Sequence, residues 1–310
     1  FVDGALTTTG GNIDPSGITI NNFLKNASLT ADPLNSYNAS LDDIFMYKTA
    51  LTDAEVLQLY NLQPPLSRAY VDIDATGNND GSSWADAYTD VRTAFINAAA
   101  GVEIWVAEGK YIRQNITNRN AVFGWNSDYV KVYGGFEGNE TMLSQRDWRA
   151  NETILSGDIG TLNDASDNCY TVLGGPFGSP SNSINYALID GFIIQDGNAN
   201  SGATANSDKG AGFQLQDYVK EVEIRNCTFT DNVAKFGGGI FASSATTSDA
   251  KVIIDACIFK NNESRFGSGI MVVTNGANME SNISNSLFYN NETRDFGTDL
   301  GGCGVIYVQE

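Results

Sequence analysis

Histidine is missing from all 310 residues of the chain. Its absence removes the commonest general base, the usual zinc ligand and every Ser-His or Cys-His nucleophile arrangement. Any catalysis therefore rests on carboxylates, Lys, Arg or Tyr. Positive charge is scarce as well: 18 Lys and Arg stand against 37 Asp and Glu, a formal charge of -19. Such a surface repels phosphate backbones, which excludes nucleic acid as a partner. It suits a solvated secreted protein, with divalent-cation binding as the alternative reading. The four cysteines, Cys169, Cys227, Cys257 and Cys303, show neither a CxxC pair nor the dense spacing of a disulfide framework. No run of about 18 apolar residues exists, so no membrane span is predicted. The opening "FVDGALTTTGG" reads as mid-strand and turn rather than a leader, so the chain is expected to be part of a longer polypeptide, truncated at both ends.

What is present divides into two patterns. "FVDGAL" and "GITINNF" read as short strands, and "ASLDDIFMY" alternates in the same way. Thr52 and Glu55 form a capping box and Leu51 with Val56 a hydrophobic staple, predicting a helix from Asp53 to near Tyr60. Pro64 and Pro65 then break the pattern, and residues 63–68 read as a linker. "FVDGAL" followed by "ASLDDIFMYKTALTDAEVLQLYNL" resembles the end of a laminin-G-like, concanavalin-type jelly roll. The resemblance implies that residues 1–62 are the C-terminal part of a β-sandwich. That family often binds glycans, sometimes through calcium.

Residues 69–310 repeat. "IRNCTFTDNVAKFGGGIF" at 224–241 recurs as "IDACIFKNNESRFGSGIM" at 254–271, then as "ISNSLFYNNETRDFGTDL" at 283–300 with one inserted residue. A divergent copy, "LIDGFIIQDG", begins at Leu188. The steps are 30 residues from Cys227 to Cys257 and 29 from Cys257 to Ser286. Aligned columns are Gly191, Cys227, Cys257, Ser286; then Ile194, Phe229, Phe259, Phe288, the first shifted by one; then Gly197, Asn232, Asn262, Asn291. Several short strands per unit, with no room for a crossover helix, predict coils stacked about 4.8 Å apart. Asparagines recurring at a corner are expected to form a ladder between coils. Cys227 and Cys257 are expected one coil apart as buried free thiols.

Less regular strands precede these copies: "GVEIWVAEGKYI", "DYVKVYGGFEG", "ETILSGDIG" and "CYTVLGG". Together with "YVDIDATGNNDGSSWADAY" they resemble bacterial right-handed parallel β-helix repeat proteins of the pectate-lyase-like fold. The fold class implied is all-β, a right-handed parallel β-helix with an N-terminal cap helix, preceded by part of a β-sandwich. Large secreted or surface proteins of Bacteroidetes pair such domains and often carry a type IX sorting signal, which implies an extracellular or outer cell-surface location. The fold hosts lyases, glycosidases, adhesins and stalks alike. The leading expectation is a non-catalytic adhesin or glycan-binding component, with glycans or other cell-surface proteins as partners. The alternatives are a polysaccharide lyase or glycoside hydrolase working in a groove along the helix, and a structural stalk or filament subunit.

Candidate residues follow from these readings. Without His, the paired-Asp and Gly-His-Gly element of polygalacturonase-type enzymes is absent. Lyases of the fold use Lys or Arg as base, and Lys209, Arg225, Lys235, Lys260 and Arg265 are available. Asp158, Asp190 and Asp196 are candidates for a glycosidase acid pair. Trp105, Trp125, Tyr133 and Trp148 are candidates for stacking on sugars, with core or cap packing as the competing reading. Asp72, Asp74, Asn78 and Asp80 are candidate calcium ligands, but an EF-hand spacing from Asp72 puts Ser83 where a bidentate Glu belongs. The favoured reading makes 72–80 an entry turn, with Ser83 and Asp86 opening a cap helix over 84–100. Trp84, Tyr88, Val91, Phe95 and Ala98 would form its single apolar stripe against "EIWVA".

Overall fold

The computed structural model describes residues 68–113, 117–125, 127–175, 184–201, 207–215, 219–244, 249–274, 278–293 and 304–309. The expected sandwich, its helix and most of the linker lie outside the described residues, as does Cys303.

The strands are β1 (Arg68–Val71), β2 (Glu103–Ala107), β3 (Gly109–Ile112), β4 (Val130–Phe136), β5 (Thr153–Ser156), β6 (Leu173–Gly174), β7 (Ala187–Asp190) and β8 (Ile193–Gln195). They continue as β9 (Asn198–Ala199), β10 (Phe213–Leu215), β11 (Glu221–Arg225), β12 (Thr228–Thr230), β13 (Val233–Phe236), β14 (Ile240–Ser243) and β15 (Ala250–Asp255). The last are β16 (Ile258–Lys260), β17 (Glu263–Phe266), β18 (Ile270–Val273), β19 (Met279–Ser284), β20 (Leu287–Tyr289), β21 (Glu292–Thr293) and β22 (Ile306–Gln309). They form four sheets, ordered β1-β2-β4-β7-β11-β15-β19, β3-β5-β8-β12-β16-β20, β9-β13-β17-β21 and β6-β10-β14-β18-β22, here numbered one to four. Neighbours within each sheet are parallel and belong to successive coils. The protein is a parallel β-helix, a solenoid whose later coils each contribute one strand to every sheet.

Two kinds of column make the coils stack. Inward, Phe229, Phe259 and Phe288 stack at 5.0 and 4.7 Å with planes 6° and 4° apart. Ile194 lies directly beneath in register, without the one-residue shift expected. That register sets Phe192 under Cys227, whereas Gly191 aligns with Asn226. At the corners, three columns adopt left-handed backbone. Gly191, Asn226, Ala256 and Asn285 form the first, with φ between 49° and 86°. Asp196, Asp231, Asn261 and Asn290 form the second, at 53° to 66°. Asn and Asp tolerate this region because their short polar side chains bond locally. The third column is glycine, at Gly210, Gly237 and Gly267.

The asparagine ladder forms as expected. Asn232 and Asn262 are wholly buried. The Asn262 Oδ1 accepts from the Asn232 backbone N at 3.2 Å and from Asn232 Nδ2 at 3.0 Å. Asn291 Oδ1 accepts from the same two donors of Asn262, at 3.1 and 2.9 Å. Each Nδ2 also donates to a carbonyl of the coil before: Ile194, Phe229 and Phe259 respectively. Cys169, Cys227 and Cys257 are buried free thiols. Burial pushes the Cys169 thiol up to about 12 and raises that of Cys227 too, so neither forms a ready thiolate.

The N-terminal cap is in two pieces. The helix, α1, spans only Val91–Asn97, and its N-cap is Asp90, whose side chain accepts from Arg92 N. Ser83 and Asp86 do bond reciprocally, with Asp86 N donating to Ser83 Oγ and Ser83 Oγ to Asp86 Oδ2, both at 3.1 Å. Yet the helix expected from Trp84 does not start there. The open edge of β1 takes those backbone groups instead: Tyr70 N donates to Gly81 O, Tyr88 N to Tyr70 O, and Asp72 N to Tyr88 O. The expected single stripe is thereby divided. Val91, Ala94, Phe95 and Ala98 plug the interior, with the Phe95 ring 5.0 Å from Trp125. Trp84 turns to the outer face of sheet one, against Tyr70, Trp105 and Phe136.

Candidate functional site

The regular corner between sheets one and two is interrupted once, by the excursion of 137–152 between β4 and β5. Its sequence folds around a buried carboxylate: Glu140 accepts from the backbone N of Glu137, Gly138 and Asn139. The chain then docks on the solenoid through Arg146. That guanidinium donates to Gly134 O at 2.9 Å and Asp190 O at 3.1 Å, and pairs with the Asp190 carboxylate at 2.7 Å. Asp147 N donates to Gly135 O, which lays the backbone of Trp148 against the coils. Gly191 makes the approach feasible: its φ is +86°, and a Cβ there would lie 2.9 Å from Arg146 and 3.0 Å from Trp148.

Trp148 thus stands at one end of a groove of about 430 Å³. Its floor is the left-handed corner column, Gly191, Asn226, Ala256 and Asn285. One side is the outward column of sheet two, in which Ile193, Thr228, Ile258 and Leu287 align in register. The groove therefore crosses four coils, three steps of about 4.8 Å each. Arg149 lies 3.9 Å over the Trp148 ring, putting a cation beside the aromatic face. Asn226 and Asn285 donate their amides to Asp190 and Asp255 of the preceding coils, which fixes the floor. Asp255 also accepts from Ser284 Oγ, and these two bonds hold its carboxyl below the usual carboxylate value.

A second constellation lies on sheet two, outside that lining. Lys110 Nζ sits 3.4 Å from Asp158 and 3.7 Å from Asp196, and Ser156 Oγ and Gln195 Nε2 both donate to the Asp196 carboxylate. Two of the three expected acidic residues are brought together here. Asp190 is not; it belongs to Arg146 on the other face. Lys110 thus bridges two carboxylates, an arrangement suited to structure or to anchoring a hydroxyl.

Three of the four rings singled out for sugar stacking have no free face. Trp105 does point outward, as its alternation with Ile104 and Val106 allows, but it is 0% exposed. Phe136 stacks on it at 4.5 Å and Arg68 lies 3.5 Å over its ring. Arg146 covers Tyr133, which is 7% exposed. Burial, with Glu103 and Asp190 adding to it, raises the Tyr133 phenol to about 12. Trp125 is in the interior against Phe95. These three are packing residues, and only Trp148 of the set lines a groove.

The acidic residues near the entry turn do not converge. Asp72 Oδ1 accepts from Asp74 N, Asp80 Oδ1 from Ser82 N, and Asn78 N donates to Asp86, so each serves the local turn. Among the described residues no group of three or more His, Cys, Asp or Glu is placed to share a metal ion. The five basic candidates are dispersed likewise. Arg225 pairs with Glu223 on sheet one, Lys260 is on sheet two, Lys235 and Arg265 are on sheet three, and Lys209 lies over the Phe241 ring.

Two features of the site escaped the sequence. Lys110 was hidden because the early coils do not align with the later repeats. The apolar wall left a signal: the residue between Cys227 or Cys257 and the stacked Phe is outward, and "CIF" and "SLF" place Ile or Leu there. No protein-family model, curated protein or solved structure matches this chain.

Proposed function

We propose that this chain is a non-catalytic glycan-binding component of a secreted or cell-surface protein, and that the groove beside Trp148 receives a linear saccharide. The observation that carries the reading is that groove: a channel over four coils, mostly apolar on one side, floored in part by the Asn226 and Asn285 amides, with Glu152 in its lining, and ended by an accessible indole with a guanidinium on it. Sugar rings combine an apolar face with a hydroxyl rim, and this combination of surfaces matches both. The sequence resemblance to bacterial β-helix repeat proteins, and the acidic composition, support an extracellular setting. The test is a binding screen against neutral and acidic oligosaccharides, read by tryptophan fluorescence. Binding is expected with no change in the saccharide, and Trp148→Ala should weaken it at least tenfold, from the loss of about 1.5 kcal/mol or more. Loss of nothing on that substitution overturns the groove assignment.

The enzyme reading is favoured by one observation, the Lys110, Asp158 and Asp196 constellation. New reducing ends or unsaturated uronides, released by wild type and abolished in Asp158→Asn, would replace the non-catalytic reading with that one.

A further inference from the structure

At the N-terminal end of sheet two, β3 is the edge strand. A cavity of about 580 Å³ lies beside it, lined by Ile73 and Ile112 as apolar walls and by Thr89, Asp90, Arg92 and Arg113 as polar groups. Two of the lining residues are arginines. Arg68, Arg146 and Arg225 each meet a carboxylate, at 3.6, 2.7 and 2.5 Å, whereas Arg119 and Arg149 lie over the Tyr170 and Trp148 rings. Among the described residues neither Arg92 nor Arg113 has an ion pair, in a chain carrying a charge of -19. Arg113 is anchored by donating to Val122 O at 2.9 Å. Asp90 is committed as the α1 cap, its Oδ1 accepting from Arg92 N at 2.9 Å. Burial and then the like charge of Arg92 both disfavour the charged form of Arg113, while Asp90 acts the other way. Arg92 and Arg113 therefore line one cavity, where the like charge of Arg92 opposes that of Arg113 and Asp90 is the carboxylate in the lining.

We propose that this cavity binds an oxyanion, a carboxylate or sulfate group, between Arg92 and Arg113, with the Thr89 side chain beside it. Guanidinium forks match both anions geometrically, and an anion relieves the repulsion between the two cations. The site is separate from the Trp148 groove and does not depend on it. The probes are sodium sulfate and sodium glucuronate, titrated at constant ionic strength against sodium chloride. Arginine Nε–H signals are followed by NMR on the whole chain.

The Arg92 and Arg113 signals are expected to shift together and saturate with at least one probe, and the probe that saturates identifies the source. Arg92→Gln should weaken that binding about tenfold, as loss of one charged hydrogen-bonding partner does. Arg92 is exposed and holds no ion pair, so this variant leaves the fold intact, whereas Arg113 also braces Val122. Arg92→Lys should recover part of the affinity. Absence of saturation with both probes overturns the site, and so does an Arg92→Gln variant that binds as tightly as wild type.

Discussion

The coils from β7 onward place a strand in each of four sheets, whereas the described coils before it reach only sheets one, two and four, and the two sets are held together differently. In the later coils the same residue types recur above one another, so Phe lies on Phe and Asn on Asn. In the earlier coils no ladder repeats. Trp105, Phe136 and Trp84 wrap the outside of sheet one, arginines lie over Trp105 and Tyr133, and a long excursion is fastened by Arg146. Repetition gives a stiff interior without any individual feature. The chemistry gathers where the repetition lapses: Trp148, Arg149, Lys110 and the Arg92 and Arg113 pair all belong to the irregular part. Insertions in solenoids map to loops on one face, which is often the binding face.

The sharpest way to break this comparison is at the ladder. Asn262→Ala removes the acceptor of Asn232 N and Nδ2 and the donor to Phe229 O, all in a buried corner. Stranding those groups should cost about 4 kcal/mol, read as a lower urea midpoint at unchanged slope. Asn291→Ala, in a coil where water reaches the corner, should cost about half as much. Equal losses would mean that burial is not what makes the ladder strong.

A smaller effect, of opposite sign, tests the corners. Ala256 holds φ 53° in a column otherwise made of Asn and Gly. Ala256→Gly should stabilise by about 1 kcal/mol, the left-handed penalty less the added unfolded-state entropy. A loss of stability would show that the column is not strained at Ala256.

The smallest effect is pH-linked. The carboxyl of Asp255 is lowered below its ordinary 3.8 by bonds from Ser284 and Asn285 of the next coil. A lowered folded value gives stability that is complete above the unfolded value and is lost as pH falls through the folded one. The advantage of wild type over Asp255→Asn should therefore be present at neutral pH and fade below about pH 4. If the difference is the same at pH 2.5 and pH 7, roughly two points on either side of that window, the linkage is absent.

The later coils were legible in the sequence because an identical-residue ladder is at once a repeat in the chain and a contact in space. Asn232, Asn262 and Phe229, Phe259 were read correctly on that ground. Gly191 was misaligned by one because the oldest signal, a small residue before the strand, fits both the left-handed corner and the position after it. The cap was half legible. Val91 and Phe95 follow helical spacing, but Trp84 does so by coincidence, and periodicity cannot see that the edge of β1 needs hydrogen-bond partners. Trp105 and Tyr133 show the same limit. Alternation reveals that a ring points outward, and says nothing of an arginine from a distant segment lying over it.

The asparagine ladder also has a direction. Every Oδ1 accepts from the coil before it, so the backbone N of Asn232 finds its acceptor in Asn262, 30 residues later. A ribosome or secretion channel delivers the chain in that same order. Each newly emerged coil is therefore left with an unfinished corner until its successor arrives. Growth of the solenoid is vectorial, and an interruption in delivery leaves one coil incomplete rather than many.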